Sequence, residues 1–244
     1  MKKRVLAILI LLIAFNINAQ QDPQYTQYMY NMNVINPAYA GSGDGASFGI
    51  LYRAQWEGLQ GAPKTATMNV HFPAGRNVGL GFSAISDEIG PVSETNLYVD
   101  FSYTLNFSND NRLAFGVKAG GTFHDVGLID LSLIDPNDPF FANDINENTP
   151  NVGAGIYFYK PNNYYISVSV PNILESVHLD NNDFNIGSET RHIFAAAGYV
   201  FDINENFKFK PHTFVKYASQ TPISLDLNAN LFMYDLVEIG AGYR

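Results

Sequence analysis

The chain of 244 residues is 46% hydrophobic and 14% aromatic but only 15% charged, with 23 acidic residues against 14 basic ones and no cysteine. Disulfides, thiolate nucleophiles, cysteine zinc sites and a lipidated cysteine are therefore excluded. No stripe of Lys and Arg runs through it, which sets nucleic acid aside as a partner, because phosphate binding needs clustered cations.

In chain order, the first expected element is a leader. Lys2-Lys3-Arg4 precedes an apolar run from Val5 to Phe15 and a polar end at Asn18-Ala19, the pattern of a secretory signal peptide over residues 1–19. Its apolar run is too short to cross a bilayer as a helix. Without the leader, 23 acidic residues face 11 basic ones. The longest later apolar run, Ile193 to Phe201, also falls far short of the roughly 20 residues a membrane helix requires.

Residues 20–45 form the second element, a turn-rich aromatic segment expected in the periplasm. Asn36-Pro37 and Gly41 interrupt regular structure there, since proline lacks an amide hydrogen and glycine tolerates positive φ. Such a Tyr-rich lead-in suits either capping of the following domain or binding of a partner.

From residue 46 to the end the hydrophobic period is two, which predicts an all-β domain over 46–244. Leu97, Val99, Phe101, Tyr103 and Leu105 alternate with Asn96, Asp100, Ser102 and Thr104, and Leu225, Leu227, Ala229 and Leu231 alternate with Asp226, Asn228 and Asn230. Eleven strands are expected, at 47–56, 65–72, 77–85, 95–107, 112–125, 151–159, 164–170, 192–202, 207–217, 223–233 and 236–244. Several exceed the five or six residues usual in soluble sheets and match tilted membrane crossings. The second face carries Arg53, Asn69, His71, Asp100, Lys118, His124, Lys208, Lys210, His212, Lys216, Asp226 and Asn230, as a polar barrel lumen does.

Connections alternate between tight (73–76, 108–111, 160–163, 203–206, 234–235) and longer (57–63, 86–92, 126–150, 172–191, 218–222). Outer-membrane barrels show this asymmetry, with short periplasmic turns and long outer loops. The fold class expected is thus an antiparallel up-and-down transmembrane outer-membrane β-barrel, with Tyr157, Phe158, Tyr159, Tyr164, Tyr165, Phe232 and Tyr234 as interfacial aromatics. Eleven is an odd number where single-chain bacterial barrels have an even one, so either the count is off by one strand or, as the parity argument favours, a larger barrel is truncated at its C-terminal side.

Gln21-Asp22-Pro23-Gln24-Tyr25-Thr26-Gln27-Tyr28-Met29-Tyr30-Asn31, followed by Asn36-Pro37-Ala38-Tyr39-Ala40-Gly41 directly behind a leader, resembles the start of the PorP/SprF family, outer-membrane proteins of the type IX secretion and gliding machinery of Bacteroidota. The resemblance implies a non-enzymatic role in exporting or anchoring adhesin-like cargo at the cell surface. It implies outer-membrane lipid, the secretion machinery with periplasmic proteins, and the cargo as partners. Gln24, Tyr25, Gln27, Tyr28, Asn31, Asn36, Pro37, Ala38, Tyr39 and Gly41 are the family-motif and partner-binding candidates. No cofactor is expected.

Rival chemistries leave weak traces. Gly41, Gly43 and Ala46, and again Gly79, Gly81 and Ala84, match G-x-G-x-x-A, but neither lies between a strand and a helix as dinucleotide binding demands. The five histidines show no paired metal spacing, and no G-x-S-x-G elbow exists. His124 beside Asp125 is the best candidate for a hydrolase site assembled from separated strands. Asp135, Asp138, Asp144, Glu147, Asp180 and Asp183 lie in Asn-rich loops whose oxygens suit Ca²⁺, although such loops are usually solvated turns. The basic residues of the polar face suit a solute channel, and a soluble sandwich would alternate in the same way.

Overall fold

The computed structural model describes residues 28–128, 143–174, 177–181, 184–188, 191–219, 221–234 and 236–244. A one-turn helix, α1 (Met32–Ile35), is followed by β1 (Ser47–Ala54), β2 (Lys64–Pro73), β3 (Val78–Ile89), β4 (Val92–Asn106), β5 (Arg112–Val126), β6 (Ile145–Lys160) and β7 (Tyr164–Val170). Then come β8 (Val177–Asn181), β9 (Phe184–Ser188), β10 (His192–Tyr199), β11 (Phe201–Asn204), β12 (Phe207–Ala218), β13 (Ser224–Met233) and β14 (Val237–Tyr243). All strands but β8 and β9 belong to one 12-stranded sheet. Its order, β1-β2-β3-β4-β5-β6-β7-β10-β12-β13-β14 with β11 also on β12, is an up-and-down meander that is antiparallel throughout. β1 and β14 are the two ends of this sheet and do not pair with each other.

The eleven expected strands correspond to this meander once β10 and β11 are counted together. Their ladder to β12 lapses at Tyr199 and Val200, beside Pro211, which has no amide hydrogen to donate. Val200 donates its own amide to the Asn163 carbonyl at 2.6 Å instead. The expected loop at 86–92 is corrected: β3 and β4 run on as a hairpin, turning at Gly90-Pro91, where Gly90 takes φ 58°. Within 172–191, β8 and β9 form a separate hairpin.

Which face is buried decides the class. Val99 and Val117 are 58% and 57% exposed, while their neighbours Asp100 and Lys118 are 0% and 2% exposed. The same inversion holds on β2, β7 and β13, where Met68, Val168 and Leu227 point outward while Asn69, Ser167 and Asn228 are buried. A soluble sandwich buries its apolar face; this sheet hides the polar one and offers the apolar one to its surroundings. Leaving that much apolar area in water forfeits about 25 cal/mol per Å², so hydrocarbon is the solvent this outer face fits. No helix among the described residues is long and apolar enough to cross a membrane.

Of the expected interfacial aromatics, Phe158 and Tyr164 continue through Tyr199, Phe201 and Phe209 as an outward chain of ring contacts at 4.5–6.4 Å. Tyr157, Tyr159 and Tyr165 are corrected, because alternate strand residues face opposite ways. Tyr157 and Tyr159 stack at 4.7 Å in a buried cluster on the polar face, with Tyr165 packed against it.

Candidate functional site

The polar face is covered by residues 28–41. Their local form follows from sequence: the Asn36 amide closes the single turn of α1 on the Met32 carbonyl at 2.8 Å, and the Asn36 side chain accepts the Ala38 amide at 2.9 Å. Pro37, at the first position of the next turn, loses no hydrogen bond there. A segment this short and irregular leaves many backbone groups unpaired, and the strands supply their partners.

Those partners span the sheet. On β2, Thr67 accepts from Asn31 Nδ2 at 2.9 Å and Asn69 donates to Asn31 Oδ1 at 2.5 Å. On β4, Asp100 accepts from Asn33 Nδ2 at 3.1 Å, and Ser102 donates to the Ala40 carbonyl at 2.6 Å. On β7, Ser169 donates to the Ile35 carbonyl at 3.0 Å, and Ser167 accepts from Asn36 Nδ2 at 2.7 Å. On β13, Asn228 donates to the Tyr28 hydroxyl at 3.4 Å. Lys118 on β5 donates to the Val34 carbonyl at 3.1 Å.

An apolar patch joins these bonds. Tyr28 stacks on Phe214 at 4.3 Å, Tyr39 meets Tyr157 edge-on at 5.3 Å, and Met32, Ile35 and Ala38 complete a buried cluster with Ala114 and Ala196. Burial pushes the Tyr39 hydroxyl above its ordinary pKa and, helped by Glu238, pushes Tyr30 up to about 12, so both remain neutral at physiological pH.

Three inward glycines make the space. A Cβ on Gly79 would overlap the Ala40 carbonyl, one on Gly116 the Ala38 backbone, and one on Gly155 the Asn36 side chain. This explains the G-x-G-x-x-A match on β3 without a cofactor: Gly79 and Gly81 both face the segment, Gly81 at Asn33.

Of the motif candidates, Tyr28, Asn31, Asn36, Pro37 and Ala38 are buried in this plug, and Tyr39 and Gly41 sit at its partly covered end. Gln24, Tyr25 and Gln27 lie outside the described residues, as do Asp135 and Asp138. Asp144 accepts the Leu128 amide at 2.8 Å. The hydrolase pair is not assembled, because consecutive strand residues diverge: His124 is buried inward, Asp125 is exposed, and the carboxylate near His124 Nδ1 is Glu94 at 3.7 Å. Asn33, Ser102, Ser167 and Ser169 were not singled out as functional from the sequence. Their only signal is small or amide side chains recurring at inward positions.

A membrane-type β-sheet whose polar face is covered by its own N-terminal segment is the class defined by these features. The family model for the type IX secretion system membrane protein PorP/SprF matches residues 17–244. The chain belongs to that family, and is a membrane component of the type IX secretion system. No curated protein matches it.

Proposed function

We propose that this protein is a non-enzymatic outer-membrane platform of the secretion machinery that helps export adhesin-like cargo or anchor it at the cell surface. Residues 1–19 direct export, the tight turns face the periplasm, and the longer connections face outward. The observation that carries this reading is the plug. It hydrogen-bonds to side chains on at least five strands, which favours a scaffold over an open solute channel.

The C-terminal end of the plug lies at a tight turn, where Gly41 is beside Phe72, Pro73 and Gly79 at the β2–β3 turn, whereas at its other end Tyr30 meets Asn230 and Tyr28 lies deeper, against Asn228 and Phe214 in mid-strand. Gln24, Tyr25 and Gln27, which precede the plug in the chain, are the residues offered to periplasmic partner proteins. The test is a gene deletion with complementation, followed by outer-membrane fractionation and surface labelling of the secreted adhesins. Cargo retained on cells only when the protein is present in the outer membrane supports the reading, and unchanged cargo display in the deletion strain contradicts it.

A further inference from the structure

A second site lies where the plug ends. A cavity of about 230 Å³ at the tight-turn end is walled by Gly41 of the plug, Arg76 of the β2–β3 turn, Thr104 near the end of β4, and Arg112 with Tyr159 at the facing ends of β5 and β6. Pairing places them together: Asn106 opposes Arg112, and Arg112 opposes Tyr159. In a chain with 23 acidic against 14 basic residues, two guanidiniums sharing one cavity stand out against the overall charge. Among the described residues, neither is hydrogen-bonded or ion-paired to protein, and Arg112 rests over the Tyr159 ring at 5.9 Å. That contact orients the fork without neutralising it. Asp44, exposed at the rim, is the one carboxylate in the lining.

We propose that this cavity binds one carboxylate of an acidic peptide, gripped by Arg76 and Arg112, at the turn end of the sheet. Arginine forks match carboxylates two bonds at a time. Pro73 and Tyr159 add apolar wall to the same cavity, which suits the methylene stem of an acidic side chain and which a free inorganic anion has no use for. Thr104, Arg112 and Tyr159 share the inward face with Ser102, Ala114 and Tyr157, so the ligand arrives from the aqueous end of the lumen and not from the lipid. The Gly41 wall exists only when the plug is seated: Gly41 takes φ +69°, and a Cβ there would stand 2.5 Å from Gly79 Cα. Peptide binding and plug seating therefore stabilise each other.

The experiment measures fluorescence anisotropy of a fluorescein-labelled Gly-Ser-Glu-Ser peptide, amidated at its C-terminus, with the full chain in detergent. Its Gln counterpart and inorganic phosphate serve as competitors. The expected result is saturable binding of the Glu peptide, weakened at least about tenfold in Arg76→Gln and in Arg112→Gln, as loss of a charge-assisted hydrogen bond implies. Asp44→Asn should tighten it, a gain that misfolding cannot imitate. Equal binding of the Gln peptide, indifference to both arginine substitutions, or displacement by phosphate as effectively as by excess Glu peptide overturns the proposal.

Discussion

Lys118 Nζ lies 3.2 Å from Asp100 Oδ1, with both side chains closed to solvent, and the two residues are direct cross-strand partners on β4 and β5. The same ammonium reaches the Val34 carbonyl, and the same carboxylate takes Asn33 Nδ2. One ion pair thus joins the sheet to the plug. Its worth lies in what its loss would strand, since a buried charge deprived of its partner is far more costly than the pair's net gain.

Lys118→Met should destabilise the protein by about 3–5 kcal/mol, because Asp100 remains buried and unpaired. Lys118→Met with Asp100→Leu should recover a large part of that loss. Urea unfolding in detergent, followed by tyrosine and tryptophan fluorescence, checks both; a double variant no more stable than Lys118→Met contradicts the account.

Gly116→Val places a side chain where the Ala38 backbone lies. Overpacking of this kind costs about 1–3 kcal/mol, and the plug yields before the sheet because its contacts are side-chain bonds and not a ladder. Limited proteolysis with mass spectrometry should then show new cleavage within 28–45 while the strands stay protected. Unchanged cleavage would mean that the plug does not rely on this approach.

Asn36→Ala removes the cap on the Ala38 amide together with the bonds to Ser167 and the Ile156 carbonyl. A loss of about 1–2 kcal/mol is expected from the cap alone. Hydrogen exchange at Ala38 and Tyr39 should accelerate well beyond exchange on β6 and β7.

Val99→Arg and Val117→Arg test the outer face. At the bilayer midplane such a charge costs about 2–4 kcal/mol, falling to about 0–1 near the interface. Membrane recovery should therefore drop for these two and hold for Leu105→Arg near the end of β4. Equal tolerance at all three positions would mean that this face does not meet hydrocarbon.

Strand periodicity was legible because one face must be apolar: β4, β5 and β13 follow from Val99, Val117 and Leu227 alternating with Asp100, Lys118 and Asn228. The pairing of Asp100 with Lys118 was not legible from the turn alone: a turn at 108–111 would set Asp100 opposite Ala119, and the observed register, with Asn106 opposite Arg112, is one residue away. Boundaries were less legible. β6 begins at Ile145 and not at 151, because the Asn- and Glu-rich stretch 146–149 reads as loop while its backbone pairs with β5. The break at Val200 depends on Pro211, which lies on a different strand. The plug was least legible. Asn31, Asn33 and Asn36 bond to residues 36, 67 and 131 positions away, and no local pattern encodes such partners. Only the glycines at 79, 116 and 155 mark the space they leave.

Conductance of the purified protein in planar bilayers, recorded beside Gly116→Val, tests most directly whether the plug makes this protein a closed scaffold. The wild-type chain is expected to show no steady open level, and the variant is expected to show openings. A steady, ohmic open level in the wild type would contradict the account and return the solute channel to first place.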